Sequence, residues 1–351
     1  MVCTEKLIEN IQEYYGTVLR SNRDLQTNAC CCSAESMPEQ YKAILREIHD
    51  EIIEKFYGCG SPIPPALEGC RVLDLGCGTG RDVYLASRLV GSKGHVIGVD
   101  MTDGQLEVAR RHLDDQMRRF GFEDPNVSFK KGYIEDLAVL GIDDDSIDVV
   151  ISNCVLNLSP DKSRAFSEIL RVLRPGGELY FSDVFAMRRV PEALRRDPVL
   201  RGECLAGALY VEDFRRLMAS LGCPDYRVTA SCPISIDNPE IERKIGMIDF
   251  YSLTVRAFKL DSLEDRCEDY GQVAYYDGTI PAHPHRFELD DHHVFEKDRP
   301  VSVCGNTAAM LEETRLGSYF RVSGDRSVHF GLFDCEPGSG GDGEDSAGSC
   351  C

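Results

Sequence analysis

The chain has 351 residues, with 59 acidic against 39 basic side chains and a formal net charge of −20. That balance argues against nucleic acid or an anionic membrane as the main partner, since both recruit basic faces. The 42% hydrophobic content is enough for a sizeable core. No run approaches the ~18 apolar residues of a membrane span. The opening MVCTEKLIEN lacks the basic-then-apolar pattern of an export signal, so the cytosol is the expected address.

Residues 1–60 read as helical with a polar interruption. KLIENIQEYYGTVL has apolar residues at helical spacing, and SNRDLQTNACCCSAESMPEQ is a loop by composition. YKAILREIHDEIIEKFY predicts one amphipathic helix, with Ile44, Ile48 and Ile52 on one face and Gly58 as C-cap. Over residues 70–185, strands alternate with helices. RVLDLG, HVIGVDM, VSFKKG, IDVVISNCV and GELYFSDVF read as strands; GRDVYLASRLV, DGQLEVARRHLDDQMRRFG and SRAFSEILRVL read as helices. Short connections between them imply an α/β fold with a doubly wound, mostly parallel sheet. Ligands bind beyond the carboxyl ends of such strands. Residues 186–260 extend or cap this unit. Residues 261–351 carry 19 acidic and 7 basic residues in short β-like runs, and the end, CEPGSGGDGEDSAGSCC, is low-complexity and expected to be disordered.

LDLGCGTG, residues 73–80, is the strongest local motif. Gly76, Gly78 and Gly80 allow a sharp strand-to-helix turn and close backbone approach to a ligand. A dinucleotide fingerprint would need a glycine at position 81, where Arg81 stands. Asp74, just before the turn, suits a ligand with an ammonium group and would repel a pyrophosphate. Asp100 ends the second strand, where an acid can hold two ribose hydroxyls. GYIEDL offers Glu135 or Asp136 to a base amino group, and Asn153 lies within contact of the same ligand. This set resembles the class I S-adenosylmethionine-dependent methyltransferases (a Rossmann-like fold), and RVLRPGGELYFSD resembles their fifth-strand region. Residues 61–185 are therefore expected to bind S-adenosylmethionine.

Sixteen cysteines in a long chain with a large core point to metal, metalloid or redox chemistry more than to a disulfide scaffold. Cys70 and Cys77, in apolar strand context, read as small buried hydrophobes, as do Cys223 and Cys232. Cys154 ends the fourth strand, where the sheet delivers ligands. Cys204 lies in LRGECLAGALY, a context that equally fits a buried helix residue. Cys59 sits between glycines, and Cys30, Cys31 and Cys32 occupy a polar loop. No paired C-x-x-C knuckle of the kind zinc favours is present. On the residues alone, a methyltransferase acting on a thiol or small organic acceptor stays open.

The runs LQTNAC, FYGCGSPIP, SNCVLNL and GECLAGALY, together with LDLGCGTGRD, resemble the arsenite S-adenosylmethionine methyltransferases over about residues 4–330. The resemblance implies arsenic-binding thiolates at Cys154 and Cys204, with Cys59 as a third, and a redox cysteine at Cys30. It places cofactor contacts at Gly76, Gly78, Asp100, Met101, Ile134 and Glu135, with Tyr57 as the aromatic beside the cofactor. Residues 186–260 become an arsenic-binding segment, 261–335 a small acidic α+β domain and 336–351 a tail ending in Cys350 and Cys351. The implied substrates are arsenite and methylated arsenicals, with a thiol reductant (glutathione or thioredoxin) resetting an intramolecular disulfide relay in a monomeric detoxifying enzyme.

His283, His285, His292 and His293, with Cys267 and Cys304 nearby in sequence, offer donors to zinc, but exposed polar loops share that composition and no metal is expected there. Arg110, Arg111, Arg118 and Arg119 read as a solvated helix face.

Overall fold

The computed structural model describes residues 37–56, 58, 62–197, 200, 204–236 and 238–335. The expectations placed on Cys30, Cys31, Cys32, Tyr57, Cys59, Cys350 and Cys351, and on the first helix, lie outside these residues. Five strands follow the predicted order: β1 (Arg71–Leu75), β2 (His95–Asp100), β3 (Val127–Lys131), β4 (Ile147–Asn153) and β5 (Leu173–Ala186). They pair in parallel as β3-β2-β1-β4-β5. The strand order reverses at β1, whose carboxyl end lies between those of β2 and β4 and opens the crevice in which such sheets bind ligands.

The period of two in β1 explains the layering. Leu73 and Leu75 enter one buried cluster with Phe166, Phe181 and Phe214. Val72 faces the other, with Ile48, Ile52, Val83 and Tyr84. Both faces are covered, so the central strands β1 and β4 are buried along most of their length.

Residues 186–260 are part of this sheet. β6 (Leu209–Tyr210) pairs in parallel with β5, and β8 (Phe250–Phe258) runs antiparallel between β5 and the edge strand β7 (Tyr226–Pro233). Cys223 is buried as expected, whereas Cys232 is exposed, because edge strand β7 turns that residue to solvent.

Two expected helices are each broken in two. The first is Glu39–Leu45 followed by Asp50–Glu54, and it stops before Gly58. Ile44, Ile48 and Ile52 are still all buried. The second is Asp103–Arg111 followed by Leu113–Phe120, with His112 between them outside helical geometry. One contact holds both breaks: the His49 and His112 rings stack at 3.8 Å, and His112 Nε2 lies 2.7 Å from Glu51 Oε2. Arg110, Arg111, Arg118 and Arg119 form the solvated face; Arg111 pairs with Glu107, and Arg118 and Arg119 pair with Asp115.

Beyond β8 a small α+β domain forms. It contains a three-stranded sheet in the order β13 (Pro300–Val303), β10 (Gln272–Tyr276), β14 (Phe320–Ser323), and the hairpin β11 (Arg286–Glu288) with β12 (Val294–Glu296). A ribbon of β9 (Glu268–Asp269) with β15 (Gly331–Leu332) and a helix, Gly305–Glu312, complete it. Its core of Tyr276, Phe287, Phe295 and Met310 also takes in Phe258 from β8. Fully buried Glu178 on β5 pairs with Arg256 on β8 and with Arg315 of this domain. Removing one member of such a set strands a buried charge, at a cost of about 3–5 kcal/mol.

Candidate active site

At the end of β1 the backbone turns through Gly76, Gly78 and Gly80, all at positive φ. A side chain at Gly76 would be doubly excluded: its Cβ would fall 2.2 Å from Val155 Cγ2. The Gly76 and Cys77 N–H groups donate to the Val99 carbonyl at 2.8 and 3.0 Å, which fixes the loop to β2. Gly80 then caps the helix Arg81–Val90.

The cleft beyond this loop is lined by Asp74, Gly76, Gly78, Asp100, Met101, Ile134, Glu135, Asn153 and Cys154, all of them expected site residues. Gly80 and Arg81 are not on its wall. Arg81 instead pairs with Asp82 at 2.7 Å and lies over the Phe56 ring.

The cleft is acidic. Asp74 is buried, and burial together with Asp82 and Asp100 pushes its carboxyl well above the usual range. Burial also raises Asp100, although its oxygens accept from the Gly78 and Thr102 N–H groups at 2.9 and 2.8 Å. Three neighbouring carboxylates in a partly desolvated cleft are stabilised by a cation. The donor set therefore fits the ammonium and sulfonium of S-adenosylmethionine, and Asp100 at the end of β2 fits a ribose. Glu135 receives the Ser159 hydroxyl at 2.5 Å.

Cys154 follows β4 and lines the same cleft. Cys204 is not on the cleft wall, but its Sγ–H donates to the Cys154 carbonyl at 3.7 Å. The two residues share one apolar cluster with Val184, Leu205, Ile241 and Phe250. Both have positive φ, 56° and 61°. This conformation is strained for residues with a Cβ, and Ala66, Asp145, Ala282 and Asp298 share it.

Several contributors had no sequence signal. Asp82 accepts from Asn153 Nδ2 at 3.0 Å and so orients a residue of the cleft wall. Under the thiols, the Asp183 carboxylate accepts from Asn157 N and Nδ2 at 3.0 and 2.7 Å, and burial pushes its pKa up to about 6. Lys162 donates to the Asn157 and Ser159 carbonyls, and burial brings its pKa down to about 8. Its ammonium is within electrostatic reach of Asp183, Glu135 and Cys204. Gly207 brings the Cys204 segment against this layer: a Cβ there would sit 2.1 Å from the Asn157 oxygen. Lys162 in LNLSPDK and Asp183 in FSDVF carry no periodicity or motif of their own, so only the packing shows them.

A parallel sheet with a glycine turn at its switch point, an acid at the end of the second strand and a cation-seeking cleft defines a class I S-adenosylmethionine-dependent methyltransferase. Residues 66–222 match the methyltransferase domain family, and residues 269–331 match the arsenite methyltransferase C-terminal domain family. An arsenite methyltransferase of Aquipseudomonas alcaligenes is 53% identical over 326 residues, covering 93% of each chain. The arsenite methyltransferase of Mus musculus is 45% identical over 90% of this chain and 83% of its own. The crystal structure of an arsenic(III) S-adenosylmethionine methyltransferase from Chlamydomonas reinhardtii superposes with a TM-score of 0.83 at 52% identity, over 85% of this chain and 100% of that one. The chain belongs to the arsenite methyltransferase family. Among the described residues, no helix is long and apolar enough to cross a membrane.

Proposed function

We propose that Cys154 and Cys204, with Cys59 as a third thiol, hold trivalent arsenic (arsenite or methylarsenite) against the acidic cleft for methylation. The observation that carries this reading is the approach of Cys204 Sγ to the Cys154 backbone, inside one apolar cluster that borders the cleft. S-adenosylmethionine supplies an electrophilic methyl group bound to a sulfonium. The cleft's part is charge: Asp74 and Asp100 hold the cationic ligand in one orientation, and Met101, Ile134, Glu135 and Asn153 enclose it. The thiols' part is softness. Thiolates displace the hydroxides of arsenite, and the apolar cluster excludes water, which leaves the arsenic lone pair pointing at the methyl group. Such alignment is worth up to ~7–11 kcal/mol in small-molecule reactions.

Methyl transfer leaves arsenic formally pentavalent. Two thiolates return two electrons and become a disulfide. In this reading Cys30 and Cys59 join Cys154 and Cys204 in the exchange, and glutathione or thioredoxin reopens the disulfide. We place the activity in arsenic detoxification in the cytosol by a monomer.

The test is the pair of single variants Cys154→Ser and Cys204→Ser. Each is expected to lower arsenite methylation by about 100-fold or more while S-adenosylmethionine binding, measured by calorimetry, stays within about twofold. Normal methylation by both variants overturns the reading.

A further inference from the structure

A second set of thiols converges away from the cleft. The sulfurs of Cys267, Cys304 and Cys335 all lie within 4.8 Å of one another. They arrive on three separate pieces of chain. Cys267 immediately precedes β9, Cys335 follows β15, and Cys304 caps the helix Gly305–Glu312. Pairing of β9 with β15, extended by the Phe333 N–H donating to the Cys267 carbonyl at 2.8 Å, carries Cys335 back to Cys267. Cys267 and Cys304 are buried, Cys335 is half-buried, and all three are thiols, not half-cystines.

The surroundings favour negative charge on Cys304. The Thr307 N–H, in the first turn of the helix, points at Cys304 Sγ from 3.4 Å, the Thr307 hydroxyl lies at 3.2 Å and Arg227 Nη2 at 4.0 Å. His292 and His293, near these cysteines in sequence, are engaged elsewhere. His293 Nδ1 lies 2.8 Å from Asp290 Oδ1 and 3.3 Å from Arg227 Nη1, and His292 belongs to the same Asp290 group.

We propose that Cys267, Cys304 and Cys335 form an accessory site that binds trivalent arsenic through three sulfurs. Zinc would want a fourth ligand in tetrahedral array, and its charge would meet the Arg227 guanidinium. Arsenic with three thiolates is neutral, needs no fourth donor and tolerates the arginine. Arsenous acid, two thiols, one thiolate and one proton give the tris-thiolate and three waters. Three As–S bonds replace three As–O bonds, and arsenic stays trivalent, so no oxidant or reductant is consumed. Bound arsenic clamps the β9–β15 ribbon onto the helix start, tying together the two ends of the C-terminal domain. The site does not use the catalytic thiols, so it stands or falls independently of the proposed reaction.

The experiment uses the full chain carrying Cys154→Ser and Cys204→Ser, kept reduced with a phosphine. It is titrated with sodium arsenite, and bound arsenic is counted by mass spectrometry after desalting. Adding Cys304→Ser is expected to remove one bound arsenic per chain. Adding Cys232→Ser, an exposed cysteine on β7, is expected to remove none. If Cys304→Ser loses its fold by circular dichroism, Cys335→Ser takes its place with the same expected loss. Arsenic X-ray absorption, taken as the difference between the two chains, should show three sulfur neighbours. The proposal is overturned by a stoichiometry that neither variant changes, by a retained oxygen neighbour in that difference, or by one zinc per chain that arsenite cannot displace.

Discussion

The two sides of the reaction site are built by opposite means. On the cofactor side, Asp74, Gly76, Gly78 and Asp100 sit at the ends of two adjacent parallel strands, and backbone hydrogen bonds within that short stretch fix them. On the acceptor side, Cys154 and Cys204 are 50 residues apart and meet only because a loop pressed by Gly207 packs over the end of β4. One side stores unfavourable charge, with carboxyl groups raised by burial and by each other, and a cation relieves it. The other stores backbone strain, with two cysteines at positive φ in an apolar cluster. In the proposed reaction, charge is the means of selecting a sulfonium, and softness and dryness the means of selecting arsenic. The contrast implies that the two binding functions separate under mutation.

The largest separation is that of the thiol variants, which are expected to lose turnover and keep cofactor. Their mirror image is Asp100→Asn. It leaves both thiols in place and loses a carboxylate from the cleft, so S-adenosylmethionine should bind roughly 10–100-fold more weakly, at about 1–3 kcal/mol for a charged hydrogen-bonding group. Capture of arsenite by the chain should be unchanged. A variant of either kind that damages both functions equally would dissolve the distinction.

Acidity offers a third and smaller effect. The Asp74 carboxyl is raised by burial, Asp82 and Asp100 in the ligand-free cleft, and a cationic ligand prefers it ionised. Protons compete with the ligand, so affinity should rise as the pH rises through the elevated pKa and level off above it. Calorimetry over roughly pH 5–8 should show this slope, with affinity changing by at most about tenfold per pH unit below the raised pKa. Asp74→Asn should flatten it. A slope that persists in that variant would assign the titration to another group.

The smallest effect tests the strain. Cys204→Gly and Cys204→Ser should both be inactive on arsenite, but glycine removes the penalty at φ 61° whereas serine keeps it and buries a hydroxyl. The glycine variant should therefore be the more stable of the two by about 1 kcal/mol, read from chemical denaturation. Equal stability would mean that the loop relaxes the strain by another route.

The legible parts of this molecule are those with a short-range cause. The apolar runs of β1 to β5 and the glycine turn of LDLGCGTG place the sheet and the cofactor side, because parallel strands and tight turns leave local patterns. Nine of the expected cofactor and acceptor residues line the cleft. Arg81 does not, because Phe56 and Asp82 compete for its guanidinium. The helix breaks at 46–49 and 112 leave no such pattern: their cause is a contact between two histidines more than 60 residues apart, while the helical period of the isoleucines continues through the break.

From its own order of residues the chain specified an α/β sheet, a glycine turn for a cationic methyl donor, and a supply of thiols too large for a simple methyltransferase. Only tertiary packing decided which thiols meet. It joined Cys204 to Cys154 through the loop over β4, set Lys162 and Asp183 beneath them, and gathered Cys267, Cys304 and Cys335 through a two-residue ribbon and a helix cap. A sulfur's neighbours within a few ångströms come from segments distant along the chain, and no local period or spacing encodes that distance.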